Sequence, residues 1–322
     1  MLKKLFYWIE HFRTQPKTLF IAMLVVILSL TSSAWWCFAD RQAAVAVILS
    51  SDIAPYQQTC QGFEGFFKQR QIALQIYKYN LKHQNTEIIY SQIEKQKPDI
   101  IITLGSNALK SVRQRITHIP VVFSLVLNPK ELAGSNITGV SLNISGRMQL
   151  RKIKMFLPWV KKIGMIYSPD TIQMYNEMLQ ACKESDCRLI SREISQGEDI
   201  SKALKGISKI DCFLMTPDPD IYFPKTVEYL LIEGLKEKFP VIGLSSYYTR
   251  AGALISFECD YQDIGAQTGE IALSILNGQS PDAISIAEPQ KIRFSLNLWT
   301  AKRLGLEIPE AIIKQASEVF GK

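Results

Sequence analysis

Short, uninterrupted apolar runs of strand length alternate with stretches of helical periodicity, and this alternation limits the possible folds more than any other feature. The first run is 43–49 (AAVAVIL), and the helical pattern at 57–70 places Phe63, Phe66 and Phe67 on one face. Strands that are apolar at every position are typical of parallel sheets covered by helices on both faces. The pattern therefore predicts an α/β fold.

The alternation occurs twice, with a break at 128–146 between the two sets. The first set has strands at 43–49, 73–77, 100–104 and 120–126 and helices at 57–70, 86–96 and 106–113. The second set has helices at 146–156, 171–184, 199–207, 224–237 and 261–277, strands at 162–167, 188–193, 210–215, 240–244, 253–257 and 291–297, and two short closing helices.

We expect two doubly wound parallel-sheet lobes joined by a hinge, which suits a chain of 322 residues. Lobe 1 is predicted to hold 43–140 plus 258–288, and lobe 2 to hold 141–257 plus 289–322. The chain would cross between the lobes near Ser141, near Phe257 and at 288–292. Sheets of this kind bind ligands at the carboxyl ends of their strands, so a cleft between the lobes would suit a small molecule.

The segment 18–39 contains no charged residue and is long enough to span a bilayer as a helix. Basic residues precede it, as expected for a cytoplasmic flank. Residues 1–39 therefore predict an N-terminal hydrophobic export helix. It is either a signal peptide cut after Ala39 or an uncleaved membrane anchor with Trp35 and Trp36 at the interface. A lipid-attached Cys37 is a weaker alternative, because bulky Trp36 precedes it. Each interpretation exports the remainder of the chain.

The formal net charge of +7 comes partly from this leader, and the rest is too scattered to predict nucleic-acid binding. Six cysteines include no CxxC motif, and five remain beyond Cys37, which excludes a complete disulfide framework. Cys182 and Cys187 either pair or remain free thiols. The three histidines are isolated, so we predict no metal and no cofactor.

The chain lacks the GxGxxG, GxxxxGK[ST] and GxSxG motifs. The segment TPDPD at 216–220 places Asp218 and Asp220 on a loop after a strand. These carboxylates are turn residues, ligand contacts, or, less simply, acid/base or metal groups. Without a catalytic constellation we do not expect an enzyme.

Several motifs occur in an ordered series. The series comprises GFEGF at 62–66, GSNA at 105–108, PVVF at 120–123 with Asn128-Pro129, NITGVS at 136–141, AGAL at 251–254, Asp260-Tyr261 with Gly265, and Asn297 followed by AKRLG at 301–305 and Ile308-Pro309. Over about residues 43–316 the chain resembles the ABC-transporter substrate-binding protein family with the type 1 periplasmic-binding fold, which includes binders of aromatic amino acids.

The chain departs from that family's pattern at four places. The family commonly has Asp-Pro where this chain has Asn128-Pro129, and Asn-Ser where it has Gln173-Met174. The usual Asp-Asn is Asp218-Pro219 here, and the Gly before the Asp-Tyr-Tyr motif is Cys259. These differences affect the ligand rather than the fold.

Polar and aromatic residues after the predicted strands are the candidate ligand-binding groups. The Ser106-Asn107 turn opens a helix and would hold a carboxylate, or Ser106 is simply an N-cap. Asp218 would take an ammonium group. Tyr247 and Tyr248 would stack on an apolar side chain, or are ordinary core or surface tyrosines. The complete candidate set is Ser50, Ser51, Ser106, Asn107, Asn128, Ser168, Asp170, Asp218, Ser245, Tyr247 and Tyr248.

The resemblance implies an extracytoplasmic solute-binding protein that delivers an amino acid or similar small ligand to ABC permease subunits with their ATPase. The protein would be periplasmic or anchored to the outer face of the cytoplasmic membrane. The alternative is a membrane-tethered sensory or accessory binding domain of the same fold, without uptake.

Overall fold

A computed structural model describes residues 42–132, 134–195, 200–207 and 209–321. The predicted export helix at 1–39 lies outside these residues. Within the described part of the chain, no helix combines the length and apolarity needed to cross a membrane.

The first sheet has five parallel strands in the order β2-β1-β3-β4-β5. Its strands are β1 (Ala43–Leu49), β2 (Leu74–Asn80), β3 (Ile100–Leu104), β4 (Val121–Val126) and β5 (Ile137–Ser141). Its helices are α1 (Ala54–Gln69), α2 (Thr86–Gln96) and α3 (Ser106–Arg113). Along β1, Val45 and Val47 face one buried apolar cluster while Ala46 and Ile48 face another. Helices therefore cover both faces, as the apolar strands predict.

The second sheet has seven strands in the order β12-β11-β10-β9-β8-β6-β7. Its strands are β6 (Lys162–Tyr167), β7 (Arg188–Glu193), β8 (Cys212–Leu214), β9 (Val241–Gly243), β10 (Ile255–Cys259), β11 (Ile292–Asn297) and β12 (Glu318–Phe320). Its helices are α4 (Gly146–Phe156), α5 (Ile172–Lys183), α6 (Ile200–Lys205), α7 (Pro224–Lys236), α8 (Ser246–Ala251), α10 (Leu298–Leu304) and α11 (Glu310–Ile313).

The prediction of two parallel sheets is wrong for the second one, because β10 and β11 pair antiparallel. The chain returns to this sheet from outside it after β10, so the direction of β11 does not follow from a βαβ crossover. The sheet is therefore mixed: β7, β6, β8, β9 and β10 form a parallel core, and β11 and β12 run in the opposite direction at one edge.

Two strands were absent from the sequence prediction. β5 lies in the segment 128–146 that we read as a break, and its five residues are all buried. Asn-Pro, Gly-Ser-Asn and an internal glycine surround it, which are turn signals. β12 has only three residues, too few to show a periodicity.

The helix α9 (Tyr261–Leu276) packs against α1 beside the first sheet, although it follows a strand of the second. Glycines allow the two helices to approach closely. A Cβ atom on Gly62 would lie 2.0 Å from the carbonyl oxygen of Gln262, and one on Gly265 would lie 2.1 Å from that of Thr59. Ile264 and Ile271 of α9 join the core of the first sheet.

The chain passes between the two sheets at three places. It leaves β5 for α4 through 142–145, and it leaves β10 for α9 at Asp260. It then returns through 288–291, after Ala287 accepts a 2.9 Å hydrogen bond from the Ser141 backbone N–H at the end of β5. Three adjacent connections of this kind are suited to act as a hinge.

Candidate ligand-binding site

At the carboxyl edge of the first sheet, Ser50 ties the turn before α3 to the strands. Its Oγ donates to the Leu104 carbonyl at 2.8 Å and accepts from the Ala108 N–H at 2.9 Å. Ser50 thus caps α3 from a neighbouring strand. Ser106 is half-buried and Asn107 exposed at the first two positions of α3, where backbone N–H groups lack partners within the helix.

Gly105 shapes the same turn, since its φ is +89°, a conformation that L side chains rarely adopt. A Cβ atom there would lie 2.2 Å from the Tyr56 hydroxyl. Tyr56 therefore stands against the first turn of α3, together with Ser50. Tyr56 was not predicted from the sequence, where Pro55, at the start of α1, is the only signal nearby.

The end of β4 has an irregular backbone. The register with β5 shifts between Ser124 and Val126, and Leu125 between them has a φ of +57°. Asn128 follows with a φ of +48°. Bulges and left-handed residues of this kind redirect the side chains that follow them and occur often at functional sites. Here the exposed Leu127 lines a cavity between the two sheets.

Asn128 connects the two sheets. Its Nδ2 donates to the Asp170 carbonyl oxygen of the second sheet's edge at 3.4 Å. Its Oδ1 accepts from Asn143 Nδ2 at 2.9 Å, and its backbone N–H donates to Asn143 Oδ1 at 3.3 Å. The carboxyl edges of the two sheets therefore face each other across a narrow gap.

On the second sheet, Asp218 is 5% exposed and is held by protein donors. Its Oδ1 accepts from the backbone N–H groups of Asp220 and Ile221, at 3.0 and 3.3 Å. Its Oδ2 accepts from the Ser168 hydroxyl, and Ser168 Oγ also accepts from the Asp170 N–H at 3.2 Å. This network closes the turn after β8, so the geometry gives Asp218 a structural role and does not support the expected role as an ammonium acceptor.

Tyr247 and Tyr248 lie apart from the space between the sheets. They form an edge-to-face pair at 5.6 Å and line a cavity of about 560 Å³ with α7 and Trp299. Tyr247 is 68% exposed. The geometry does not support the expected stacking on a ligand in the cleft. Ser245 precedes them as the N-cap of α8, and Ser51 remains half-buried at the mouth of the first sheet.

The cavity between the sheets has a volume of about 130 Å³. Residues from the carboxyl edges of both sheets and from the connections between them line it. They are Leu127, Leu142, Asn143, Ile144, Gln149, Met174, Pro217, Gly243, Leu244, Phe257, Glu258, Cys259 and Tyr261.

Glu258 is the acidic side chain among these described lining residues. It is half-buried, and its Oε1 accepts from the Ser246 N–H at the start of α8. A carboxylate has about four acceptor positions, so it can take further donors. Glu258 was not among the predicted site residues, because the predicted strand ended at Phe257 whereas β10 continues to Cys259. Arg293, exposed, stands opposite Glu258 on β11.

Two neighbours of Glu258 are neutral at physiological pH. Burial raises the pKa of Cys259 to about 12, and the Glu258 and Asp260 carboxylates add to the effect. Burial, followed by the charges of Glu258 and Cys259, raises the pKa of Tyr261 to about 12. The wall of the cavity is therefore mostly apolar, with the neutral amides of Asn143 and Gln149 and one carboxylate, that of Glu258.

In the part of the chain that the structure describes, no group of three His, Cys, Asp or Glu side chains is placed to hold a metal ion. The chemistry of the cavity wall is that of hydrogen bonding and apolar contact.

Comparison with known proteins places this geometry in a family. The model of the ABC transporter substrate binding protein family matches residues 42–320. A "Tyrosine-binding protein" of Clostridioides difficile is 23% identical over 234 residues, 69% of this chain and 67% of that protein.

Two solved structures share the fold. One is the ligand-free, open structure of a substrate binding protein with adhesive properties from Clostridium difficile, with a TM-score of 0.72 and 21% identity, covering 87% of this chain and 100% of that one. The other is the ABC domain in complex with L-Trp from Streptococcus pneumonia, with a TM-score of 0.59, 20% identity and the same coverage. The resemblance noted in the sequence is confirmed: the chain belongs to the ABC transporter substrate binding protein family.

Proposed function

We propose that this protein captures an amino acid, or a similar small amine-carboxylate, between its two lobes and delivers it to an ABC permease. The observation that carries the proposal is the apolar cavity between the two carboxyl edges with Glu258 in its wall. Substrate-binding proteins of this family are extracytoplasmic, and we extend this to a periplasmic or membrane-anchored location.

The lobes of the proposal follow the two sheets. Lobe 1 comprises 43–141 plus 260–288, and lobe 2 comprises 142–259 plus 289–322. The boundaries differ by one or two residues from those expected from the sequence, because Ser141 ends β5 and β10 continues to Cys259. The three connections between the sheets, at 142–145, Asp260 and 288–291, form the hinge. Support for this division comes from the packing of α9 against α1.

Hinge motion follows from the size of the cavity. Ligand pockets typically measure about 300–1,000 Å³. The cavity of about 130 Å³ is smaller, so a ligand with a sizeable side chain enters only when the lobes separate. Asn128 and Asp170 would part in that motion and meet again as the lobes close on the ligand.

We assign the ligand's ammonium group to Glu258, in place of Asp218. The Glu258 carboxylate borders the cavity, whereas the Asp218 carboxylate is engaged with three protein donors. An ammonium ion in an apolar cavity needs a carboxylate partner, because desolvation without one is costly. Phe257, Leu244 and Met174 would contact the apolar side chain of the ligand.

The ligand's carboxylate is assigned to the Ser106-Asn107 turn. This assignment is supported by the position of the turn at the start of α3, where the first backbone N–H groups have no partner within the helix and the helix dipole favours an anion. The Tyr56 hydroxyl beside Gly105 would add a donor. Ser50, Ser51, Asn128, Ser168, Asp170 and Ser245 remain in the proposal as residues of the two facing edges, where they shape the cleft.

Aromatic amino acids are the first ligands to test, because the relatives include a protein named for tyrosine and a complex with L-Trp. Small molecules released by denaturing the purified full-length protein are identified by mass spectrometry. Recovery of a stoichiometric amino acid supports the proposal. Recovery of a sugar or a metal complex, bound reversibly and saturably, contradicts it.

The uncharged run at 18–39 favours one alternative, a membrane-tethered sensory or accessory binding domain. Ligand binding alone does not separate the two functions. Uptake of labelled ligand by cells with and without the protein does: loss of uptake supports delivery to a permease, and unchanged uptake favours sensing.

A further inference from the structure

Two thiols lie together outside the ligand cleft, at the far end of α5. Cys182 is in the last turn of this helix and is 2% exposed. Cys187 precedes β7 and is half-buried against the same core. Both are free, and their mutual hydrogen bond is the largest influence on the pKa of each. The sequence left open whether they pair.

The turn between them is held by three contacts. The Ser185 N–H donates to the Cys182 carbonyl at 3.2 Å. Lys154 of α4 donates from Nζ to the Asp186 carbonyl at 3.1 Å, and Lys161 forms an ion pair with the Asp186 carboxylate at 3.3 Å. The Lys154 ammonium is thus fixed one residue before Cys187, where positive charge favours a thiolate.

The two thiols differ in pKa and in access to solvent, as an attacking thiol and a resolving thiol do. The hydrogen bond from Cys182 lowers the pKa of Cys187. Burial and Asp211 oppose this effect, while Lys154 and the Arg188 N–H reinforce it. The same hydrogen bond and burial raise the pKa of Cys182. Cys187 is also the more accessible to solvent.

We propose that Cys182 and Cys187 are a redox-active thiol pair that closes to an intramolecular disulfide by exchange with a small disulfide such as oxidised glutathione. The Cys187 thiolate attacks one sulfur of that disulfide, a mixed disulfide forms, and one small thiolate leaves. Cys182 then gives up its proton and attacks the Cys187 sulfur, expelling the second small thiolate. The protein pair loses two electrons and two protons, and the small disulfide is reduced to two thiols.

The other described thiols are unsuited to this reaction. Cys60, Cys212 and Cys259 are buried, and burial raises the pKa of each, to about 11 for Cys60 and about 12 for Cys259. Buried thiols of raised pKa react poorly with disulfides in solution, whereas Cys182 attacks a disulfide already formed on the adjacent Cys187. The exchange should therefore be confined to one pair of the five.

The test uses the full chain with Cys37→Ser, incubated with excess oxidised glutathione at neutral pH, alkylated, and analysed by mass spectrometry. We expect a mass loss of about 2 Da before alkylation and a peptide linking Cys182 to Cys187. In the Cys182→Ala variant, glutathione should remain on Cys187 as a mixed disulfide. In the Cys187→Ala variant, no adduct should form on Cys182.

The proposed disulfide exchange is contradicted if the parent chain keeps both thiols free. It is also contradicted if the glutathione adduct in the Cys182→Ala variant forms on a cysteine other than Cys187. Circular dichroism checks that each variant is folded. A measurement that needs no substitution at the pair is a time course of alkylation in the folded parent: Cys187 reacting first supports the proposal, and another buried cysteine reacting first overturns it.

Discussion

The side-chain amide of Asn128, on the first sheet's edge, donates to the carbonyl oxygen of Asp170, on the second, at 3.4 Å. Asn143 holds Asn128 in place through two hydrogen bonds, and Asn128 adopts a left-handed backbone conformation that asparagine tolerates better than most residues. An aspartate carboxylate could not donate to the Asp170 carbonyl, so this contact depends on the side-chain amide of Asn128.

Asn128→Ala should favour the open form of the protein. Loss of a hydrogen bond typically costs about 0.5–1.5 kcal/mol, so we expect ligand affinity to fall roughly 2- to 10-fold. Small-angle scattering should show a larger radius of gyration without ligand. Asn176→Ala, at an exposed position on α5, is the control and should change neither quantity. An unchanged radius and affinity for Asn128→Ala would remove the contact from the account of closure.

Asp218→Ala should reduce stability more than binding. The change leaves the Ser168 hydroxyl and two backbone N–H groups without their acceptor, at a cost of about 1–3 kcal/mol in the free energy of unfolding. A double-mutant cycle with Ser168→Ala, followed by urea unfolding, should give a coupling energy of about 0.5–3 kcal/mol. A folded Asp218→Ala protein of unchanged stability that binds ligand tenfold more weakly would restore Asp218 as a ligand group.

Two glycines of α1 offer a matched pair for testing the packing of α9. Gly65→Ala meets no atom within 4 Å and should stabilise the protein by about 0.4–1 kcal/mol, because alanine is the better helix former. Gly62→Ala would bring a Cβ to 2.0 Å from the Gln262 carbonyl oxygen, so we expect it to destabilise the protein by about 1–3 kcal/mol. Unfolding midpoints in urea that rise for both substitutions would show that the two helices do not pack this closely.

Alkylation of Cys187 should depend on pH with a midpoint below that of an ordinary cysteine, because the hydrogen bond from Cys182 lowers the pKa of Cys187. Below this pH the thiol is protonated and the rate falls about tenfold per pH unit, while above it the thiolate predominates and the rate levels off. Cys182→Ala removes the hydrogen bond that most lowers the pKa of Cys187, so the midpoint should move to higher pH. A midpoint that stays in place in this variant would assign the shift to another group.

The sequence predicted most of the strands and helices because buried parallel strands leave a clear signal of continuous apolar residues. The helix α3 was predicted at its observed bounds, since Gly105 ends the strand pattern and polar residues open the helix. β5 was missed because turn residues surround it and its pairing with β4 is a long-range property. The antiparallel direction of β11 was missed for the same reason, because no local pattern shows which way a strand enters a sheet.

The candidate site was harder to predict than the fold. Asn128, Ser168 and Asp170, each chosen because it follows a predicted strand, lie at the two facing edges. Position after a strand did not show that Asp218 would be satisfied by its own turn, or that α8 would direct Tyr247 and Tyr248 toward α7. Glu258 was missed because the predicted strand ended at Phe257, and because the contact of Glu258 with the first N–H of α8 is a tertiary feature that the local sequence does not show.

Titration calorimetry of the full chain tests the proposed function most directly. The ligands are L-tryptophan and L-tyrosine. Tryptamine and tyramine are the analogues that lack the carboxylate, and indole-3-propionate is the tryptophan analogue that lacks the ammonium group. Saturable 1:1 binding of at least one amino acid is expected, and each analogue should bind with at least tenfold lower affinity. Glu258→Gln should lower the affinity for the amino acid by at least tenfold, and Asp218→Asn should lower it less. Binding of neither amino acid, equal binding of the analogues, or full affinity in Glu258→Gln would contradict the account.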